Sequence, residues 1–400
     1  MSRFLDTLSH TWDSVVKFSI QEVRMKEIIG HNLKTARELA GISQEEFSEK
    51  LGISRATLSA IENGHVAIDS GKLLVAARIL GRQIGDFFKE EHEAFALLYR
   101  AETDASAPSE TRTHFERFCK AYRELEEIVG VADSLLQPPD YSFIPGVHSK
   151  PLQFAAQVAF SERERLGLGL LDPLENIFRL FDDRGIKIFR SDMQDQDVSG
   201  LSGFSRGYGA GILVNSANTV ERQVFSLAHE YGHILMHRSF YKSPQPSAGL
   251  SREHELELMA SAFAANFLVP EAGLREAFLR DIGDKRVGVE DIVHLKWLFR
   301  VSAEVMIRRL IDTTLVSQTE GQRLTEEIDS RRQPRKEFAP LSDELIKEWE
   351  ANNRFSHLLK RAALGGMISL GKLAALLDTT VLEARSKLQA WRKEISFAQA

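Results

Sequence analysis

The stretch SLAHEYGHILMH (226–237) sets His229 and His233 four positions apart, with Glu230 beside the first. Four residues of α-helix leave a net rotation of about 40°, so both imidazoles project from one face, one turn apart, as two ligands of a single metal ion require. Glu230 is offset by one position. From there it is not a ligand of the same ion, but it stands where a carboxylate can take a proton from water and pass it to a leaving amine. Zinc in such a site acidifies the water and polarises a scissile carbonyl. Chance alone produces this pattern in about 3% of chains of this composition, so the bare motif is moderately specific. The plain alternative is a core helix in which Phe225, Leu227, Ala228, Ile234 and Leu235 are buried and the histidines are hydrogen-bonded at its edge.

The elements around the motif must decide. Upstream, GAGILVN (209–215) predicts a strand ending at Asn215, and the helix then opens with Glu221 and Arg222 in its first turn. An extended substrate can pair with an exposed strand edge beside such a helix. Downstream, HELELMASAFAANFLVP (254–270) predicts a second helix, stopped by Pro270, whose Ala260, Ala262, Ala264 and Ala265 permit close approach. The layout suits a site between two helices. Cys119 is the only cysteine, so a cysteine-ligated cluster and an internal disulfide are excluded, and any metal must bind through His, Asp or Glu.

Four hundred residues, 43% of them hydrophobic, are enough for two or three domains with cores of their own. A net charge of −6 argues against a chain that coats nucleic acid or anionic membrane, so any DNA contact must be regional. Asp6 and Asp13 interrupt the apolar run a signal peptide would need, and no later run is long enough to span a bilayer. With its lone cysteine, the chain fits a cytoplasmic protein. Breaks rich in Pro, Ser and charge fall at 101–112, 137–146 and 329–343. They divide the chain into a helical head (24–89), a helical linker (90–149), a mixed domain (150–315), a second linker (316–343) and a helical tail (344–400). GLGL (167–170) lacks the strand–turn–helix context of a dinucleotide site, and RRQPRK (331–336) reads as solvated linker.

In the head, LKTARELAGISQEEFSEKLGISRATLSAIENG (33–64) places Leu33, Ala36, Leu39, Phe47, Leu51, Leu58 and Ile61 at helical spacings, broken by turns at Gly41 and Gly52. Ser43 with Glu46 forms a capping-box pattern, and Ser54 can cap the next helix. A helix starting after so tight a turn is held clear of the core, so Ser54, Arg55, Thr57 and Ser59 can enter the major groove of DNA. The head holds ten Lys/Arg against eight Asp/Glu, slightly basic in an acidic chain.

SQEEFSEKLGISRATLSAIENG resembles the Cro/repressor-like helix-turn-helix family, also called XRE, over roughly 27–88. The resemblance implies a five-helix domain that binds a near-palindromic operator as a homodimer. It also implies that Gln44 meets the phosphate backbone, that Arg55, Ala56, Ser59 and Ala60 face base edges, and that Asn63 contacts phosphate. Arg55 would be the main reader, since it can pair bidentately with guanine.

Residues 150–315 resemble the ImmA/IrrE metallo-endopeptidases in RERLGLGLLDPLENIFRLFDDRGIKIF, RQVFSLAHEYGHILMH, FAANFLVP and FRVSAEVMIRRL. The resemblance implies a zincin-like domain with one zinc ion, acting on helix-turn-helix repressors of the kind seen at this chain's own amino terminus. It also implies a third ligand, a glutamate four residues before the phenylalanine of FAA, where this chain has Met259. A thioether is a poor zinc ligand. Glu255, one turn earlier on the same face, is the expected substitute; Glu257 is assigned to another side, and His254 is more distant.

The expectation is an α+β, mostly helical chain: an N-terminal helix-turn-helix domain, a central metallopeptidase domain with a small sheet, and a C-terminal helical tail whose role is packing or partner contact. The function expected is a DNA-binding regulator with a zinc endopeptidase, in which Glu230 activates water and His229, His233 and Glu255 hold zinc. It would cleave a repressor or itself. The alternatives are a catalytically silent transcription factor whose former active site senses a ligand, and an antitoxin-like binder of a partner protein.

Overall fold

In the computed structural model the described residues are 25–38, 40–82, 84–88, 96–97, 109–131, 137–144, 147–193, 199–205, 207–238, 250–333 and 336–398. Asp6, Asp13, Leu39 and most of the break at 101–112 lie outside them. The chain is α+β and mostly helical. It divides into two compact units, Met1–Ala94 and Phe95–Ala400. None of the described helices is long and apolar enough to cross a membrane.

The first unit holds α1 (25–38), α2 (Gln44–Leu51), α3 (Arg55–Glu62) and α4 (Ser70–Leu80), followed by a single 3-10 turn at Ile84–Phe87. Among the described residues, that turn stands where the resemblance implies a fifth helix. Two starts are capped as the sequence suggests, Ser43 Oγ accepting from the Glu46 N–H and Ser54 Oγ from Thr57, and Asp69, which the sequence reading did not single out, caps α4 by accepting from Gly71 and Lys72. Gly52 takes the left-handed conformation that ends α2, which is why the inter-helix turn is so tight. Leu33, Phe47, Leu51, Leu58, Ile61, Leu73, Ala76 and Phe87 close one small core. Beside it Arg37 Nε donates to Glu62 Oε1 at 2.6 Å, a buried ion pair tying α1 to α3.

The second unit is built on a four-stranded sheet of order β1-β3-β4-β2, with β1 at Ala96–Leu97, β2 at Lys187–Ser191, β3 at Gly200–Ser205 and β4 at Gly209–Asn215. β2 and β4 are parallel, in register Ile188↔Ile212, whereas β3 runs antiparallel to β4 and β1 antiparallel to β3. Every residue of β4 is buried, which explains why GAGILVN shows no polar alternation. The motif helix, Val220–Met236, packs on β3 and β4 on one side and on the helix Leu250–Leu268 on another.

One large core joins this sheet to helices from Pro151–Leu166 through Glu344–Ala351. The stretch 316–343, expected as a linker, is part of it: Gln318–Arg331 is a helix whose Leu324 and Ile328 are buried. Its proline- and charge-rich end is held by Lys296, whose ammonium donates to the carbonyls of Phe338 (2.7 Å) and Ala339 (2.9 Å) and pairs with Glu221 (3.0 Å). The linker expected at 90–149 likewise contains packed structure. Its helix Ser109–Val129 forms a second core with Arg354–Leu364, Leu370–Leu376 and Val381–Ala398 through Tyr122, Leu125, Leu358, Leu359 and Ala384. The helical tail thus packs on a helix far earlier in the chain. Gly167 and Gly169, both at positive φ, shape the GLGL loop around buried Arg163, which donates to the carbonyls of Gly169, Phe267 and Asp172. Cys119 is buried, and burial pushes its thiol far up.

Candidate functional site

The motif helix is fixed along its length before any chemistry is considered. Thr219 Oγ1 caps its start, buried Glu221 pairs with Lys296 in its first turn, and Tyr231 on the far face donates to buried Glu162. Gly232 lies against the Phe263 ring: a Cβ at that position would come within 2.9 Å of Phe263 Cδ1. The absent side chain lets Leu250–Leu268 approach closely, aided by buried Ala260 and Ala264.

That approach decides which residues face the histidines. His229 Nε2 and His233 Nε2 lie 3.1 Å apart, and the carboxylate of Glu257 reaches both, Oε2 to His229 at 3.2 Å and Oε1 to His233 at 3.4 Å. Among the described residues these three form the one such group of potential metal ligands. The expectation of Glu255 is corrected: the acidic partner is Glu257, two positions on. Two residues turn an α-helix by about 200°, so Glu255 and Met259 share a face that Glu257 does not. Met259 is fully buried in the hydrophobic core, on the side seated by Phe263, and offers nothing to the histidines. Ser261, one turn after Glu257, places its hydroxyl 3.3 Å from His229 Nδ1. His254 is exposed and outside the group.

The donor set fits a divalent ion. Bonds of about 2.0–2.2 Å in a tetrahedron put neighbouring donors roughly 3.3–3.6 Å apart, close to the spacing of all three. Imidazole and carboxylate are donors zinc accepts readily. Burial alone would raise the Glu257 carboxyl, but hydrogen bonds and charge from His229 and His233 outweigh it and hold the group far below the usual carboxylate range. The ring nitrogens away from this cluster have partners too. His233 Nδ1 lies 2.9 Å from Nδ1 of His237, a third histidine one turn further along, and Ser261 serves His229. His237 is completely buried, and burial followed by the neighbouring imidazoles depresses it well below the ordinary histidine range, keeping it neutral.

Glu230 stays on the sheet side. Its Oε2 accepts a 2.6 Å hydrogen bond from Ser202 on β3, and Gly200 packs against its methylenes, where a Cβ would come within 3.3 Å of Cγ. Reasoning from spacing missed Ser202, Gly200, Ser261 and His237, and it set Glu257 on the wrong side of its helix. Of these, His237 carried a visible signal, the third histidine at the same interval in HEYGHILMH.

On the first unit, Ser54, Arg55, Ala56 and Thr57 are exposed, Ser59 and Ala60 are half-buried, and Asn63 is exposed with its amide on the Ser59 carbonyl. Ser54 and Thr57 hydroxyls bond each other at 2.8 Å. Gln44 donates to Glu62 at 2.8 Å, so its amide is engaged with the Arg37–Glu62 pair.

Two family models match the chain. Residues 33–87 match the helix-turn-helix model, and residues 181–310 match the IrrE N-terminal-like domain, a peptidase family. No curated protein matches it. Among solved structures, PlcR of Bacillus thuringiensis in complex with the peptide PapR7 and DNA is 12% identical, covering 93% of this chain and 97% of that one at a TM-score of 0.16. Apo ComR from Streptococcus vestibularis is 11% identical, with 82% and 98% covered at a TM-score of 0.15. Superpositions this loose carry no argument. The family matches establish a helix-turn-helix DNA-binding domain joined to a peptidase-family domain.

Proposed function

We propose that this chain is a DNA-binding transcriptional regulator whose second unit is a zinc-dependent endopeptidase, acting in the cytoplasm on a helix-turn-helix repressor or on a copy of itself. The observation that carries this reading is the convergence of His229, His233 and Glu257 at the donor spacing of a tetrahedral ion, with Glu230 held beside them by Ser202.

A divalent ion bound there would polarise a peptide carbonyl and bring the acidity of a water molecule near neutrality. The chain's own residues do the rest. Glu230 accepts the proton of the attacking water and delivers it to the departing amide nitrogen, so one carboxylate serves as base and then as acid. Ser202, donating to Oε2, fixes the carboxylate's rotamer and leaves Oε1 as the oxygen that moves the proton. His237 and Ser261 orient the two liganding rings through their Nδ1 atoms, the outer support that ligand histidines commonly have. Gly200 leaves space beside Glu230 that any side chain would fill.

For the head, exposed Arg55, Ala56 and Thr57 at the start of α3 support major-groove reading, with Ser59, Ala60 and Asn63 behind them. Leu74, Val75, Ile84 and Phe88 are exposed apolar side chains around α4 and the turn after it, which supports a homodimer on a near-palindromic operator.

The test is Glu230→Gln in the full chain. The variant is expected to bind zinc and operator DNA as the wild type does and to lose cleavage of the target repressor by about 10²–10⁴-fold. Regulation in cells indistinguishable from wild type would instead favour a catalytically silent sensor.

A further inference from the structure

β3 is the strand beside the site: it packs on the motif helix and carries Ser202, the partner of Glu230. Its two edges are differently occupied. β4 pairs along its whole length, Gly200↔Val214 through Ser205↔Gly209, so the inner edge is closed. The outer edge is the one to which an extended peptide could add a strand. That edge already has an occupant. β1 pairs there antiparallel, Ala96↔Phe204 and Leu97↔Gly203. Antiparallel pairing means the chain at Leu97 is heading from the Ser205 end of β3 towards its Gly200 end, where Glu230 packs.

The described part of β1 is two residues, Ala96–Leu97, both paired with β3. It lies just after the boundary between the units at Ala94 and Phe95, so it is joined covalently to the helix-turn-helix head through residues 89–95. A tethered strand competes at a high effective concentration while still being releasable.

We propose that Ala96–Leu97 is a built-in competitor for the substrate edge of β3: the chain holds its own segment where an extended peptide would pair, and a substrate strand must displace it. The proposal rests on reading the second unit as a peptidase with β3 as its substrate-pairing strand. Displacement is by backbone hydrogen bonding alone and needs no metal.

The experiment uses the full chain and a fluorescein-labelled peptide of residues 92–101, with binding followed by fluorescence anisotropy in the presence of a chelator. Proline removes the backbone donor that a ladder requires. The double variant A96P/L97P is therefore expected to bind the peptide at least about tenfold more tightly than the wild type. Equal affinity, or no binding by either protein, overturns the proposal. If the double variant does not fold, hydrogen exchange on the wild type decides. Saturating peptide is expected to strip protection from the amides of 96–97 while those of 200–205 keep theirs; peptide binding with unchanged exchange at 96–97 overturns it. Because chelator is present throughout, the outcome is independent of whether Glu230→Gln abolishes cleavage.

Discussion

Two imidazole nitrogens facing each other at 3.1 Å, with a carboxylate against both, are a costly arrangement for a protein core unless positive charge sits among them. Glu257→Gln is therefore expected to weaken zinc binding by more than about a hundredfold in competition with a chromogenic chelator, whereas Glu255→Gln leaves it unchanged. Equal effects of the two would return the assignment to spacing alone. His237 acts one step behind. His237→Leu keeps the buried volume but cannot meet His233 Nδ1, and it should weaken zinc binding by about 10–100-fold with little loss of helix content by circular dichroism. Position 257 was not legible in the sequence because helical spacing relates Glu255, Glu257 and Met259 to one another but does not say which face is turned inward. That is set by the Phe263 ring seating on Gly232, a contact between two helices.

Among elements, the motif helix is the piece on which everything converges, and its packing makes unusual demands. Alanine is a better helix former than glycine by about 1 kcal/mol, so propensity alone says Gly232→Ala should stabilise. The 2.9 Å approach to Phe263 argues the reverse. We expect overpacking to win, with a net loss of about 1–3 kcal/mol in thermal or urea unfolding and weaker zinc binding as the helices separate. At the start of the same helix, Lys296→Met would strand buried Glu221 without its cation and is expected to cost about 3–5 kcal/mol in the same assay. β4 and the motif helix were legible because a run of buried strand residues and a regular helical interval both leave a local signature. The stretch 316–343 was not, since its proline and charge resemble a solvated linker. What holds its end is one lysine on another helix, which composition does not report.

At the scale of the whole molecule, the chain joins a helix-turn-helix head to a peptidase-family body, and each makes its own prediction. In the head, Arg55→Ala should reduce operator affinity and also narrow the gap between operator and non-operator DNA, by about 1–3 kcal/mol at the base it reads. An affinity loss equal on both DNAs would make Arg55 a phosphate contact. The head's outline was legible because caps, turns and core spacing agree over a short stretch. The packing of the helical tail against Ser109–Val129 was not, because nothing local announces a contact between segments so far apart. The account as a whole turns on the ion. The most direct measurement is zinc content and zinc K-edge absorption of the full chain, purified without chelators, beside Glu257→Ala. The expected result is one zinc per chain with two imidazole nitrogens and a carboxylate oxygen in its shell, and loss of that oxygen and most of the zinc in the variant. A wild-type chain that takes up no zinc, or a shell that Glu257→Ala leaves unaltered, would contradict it.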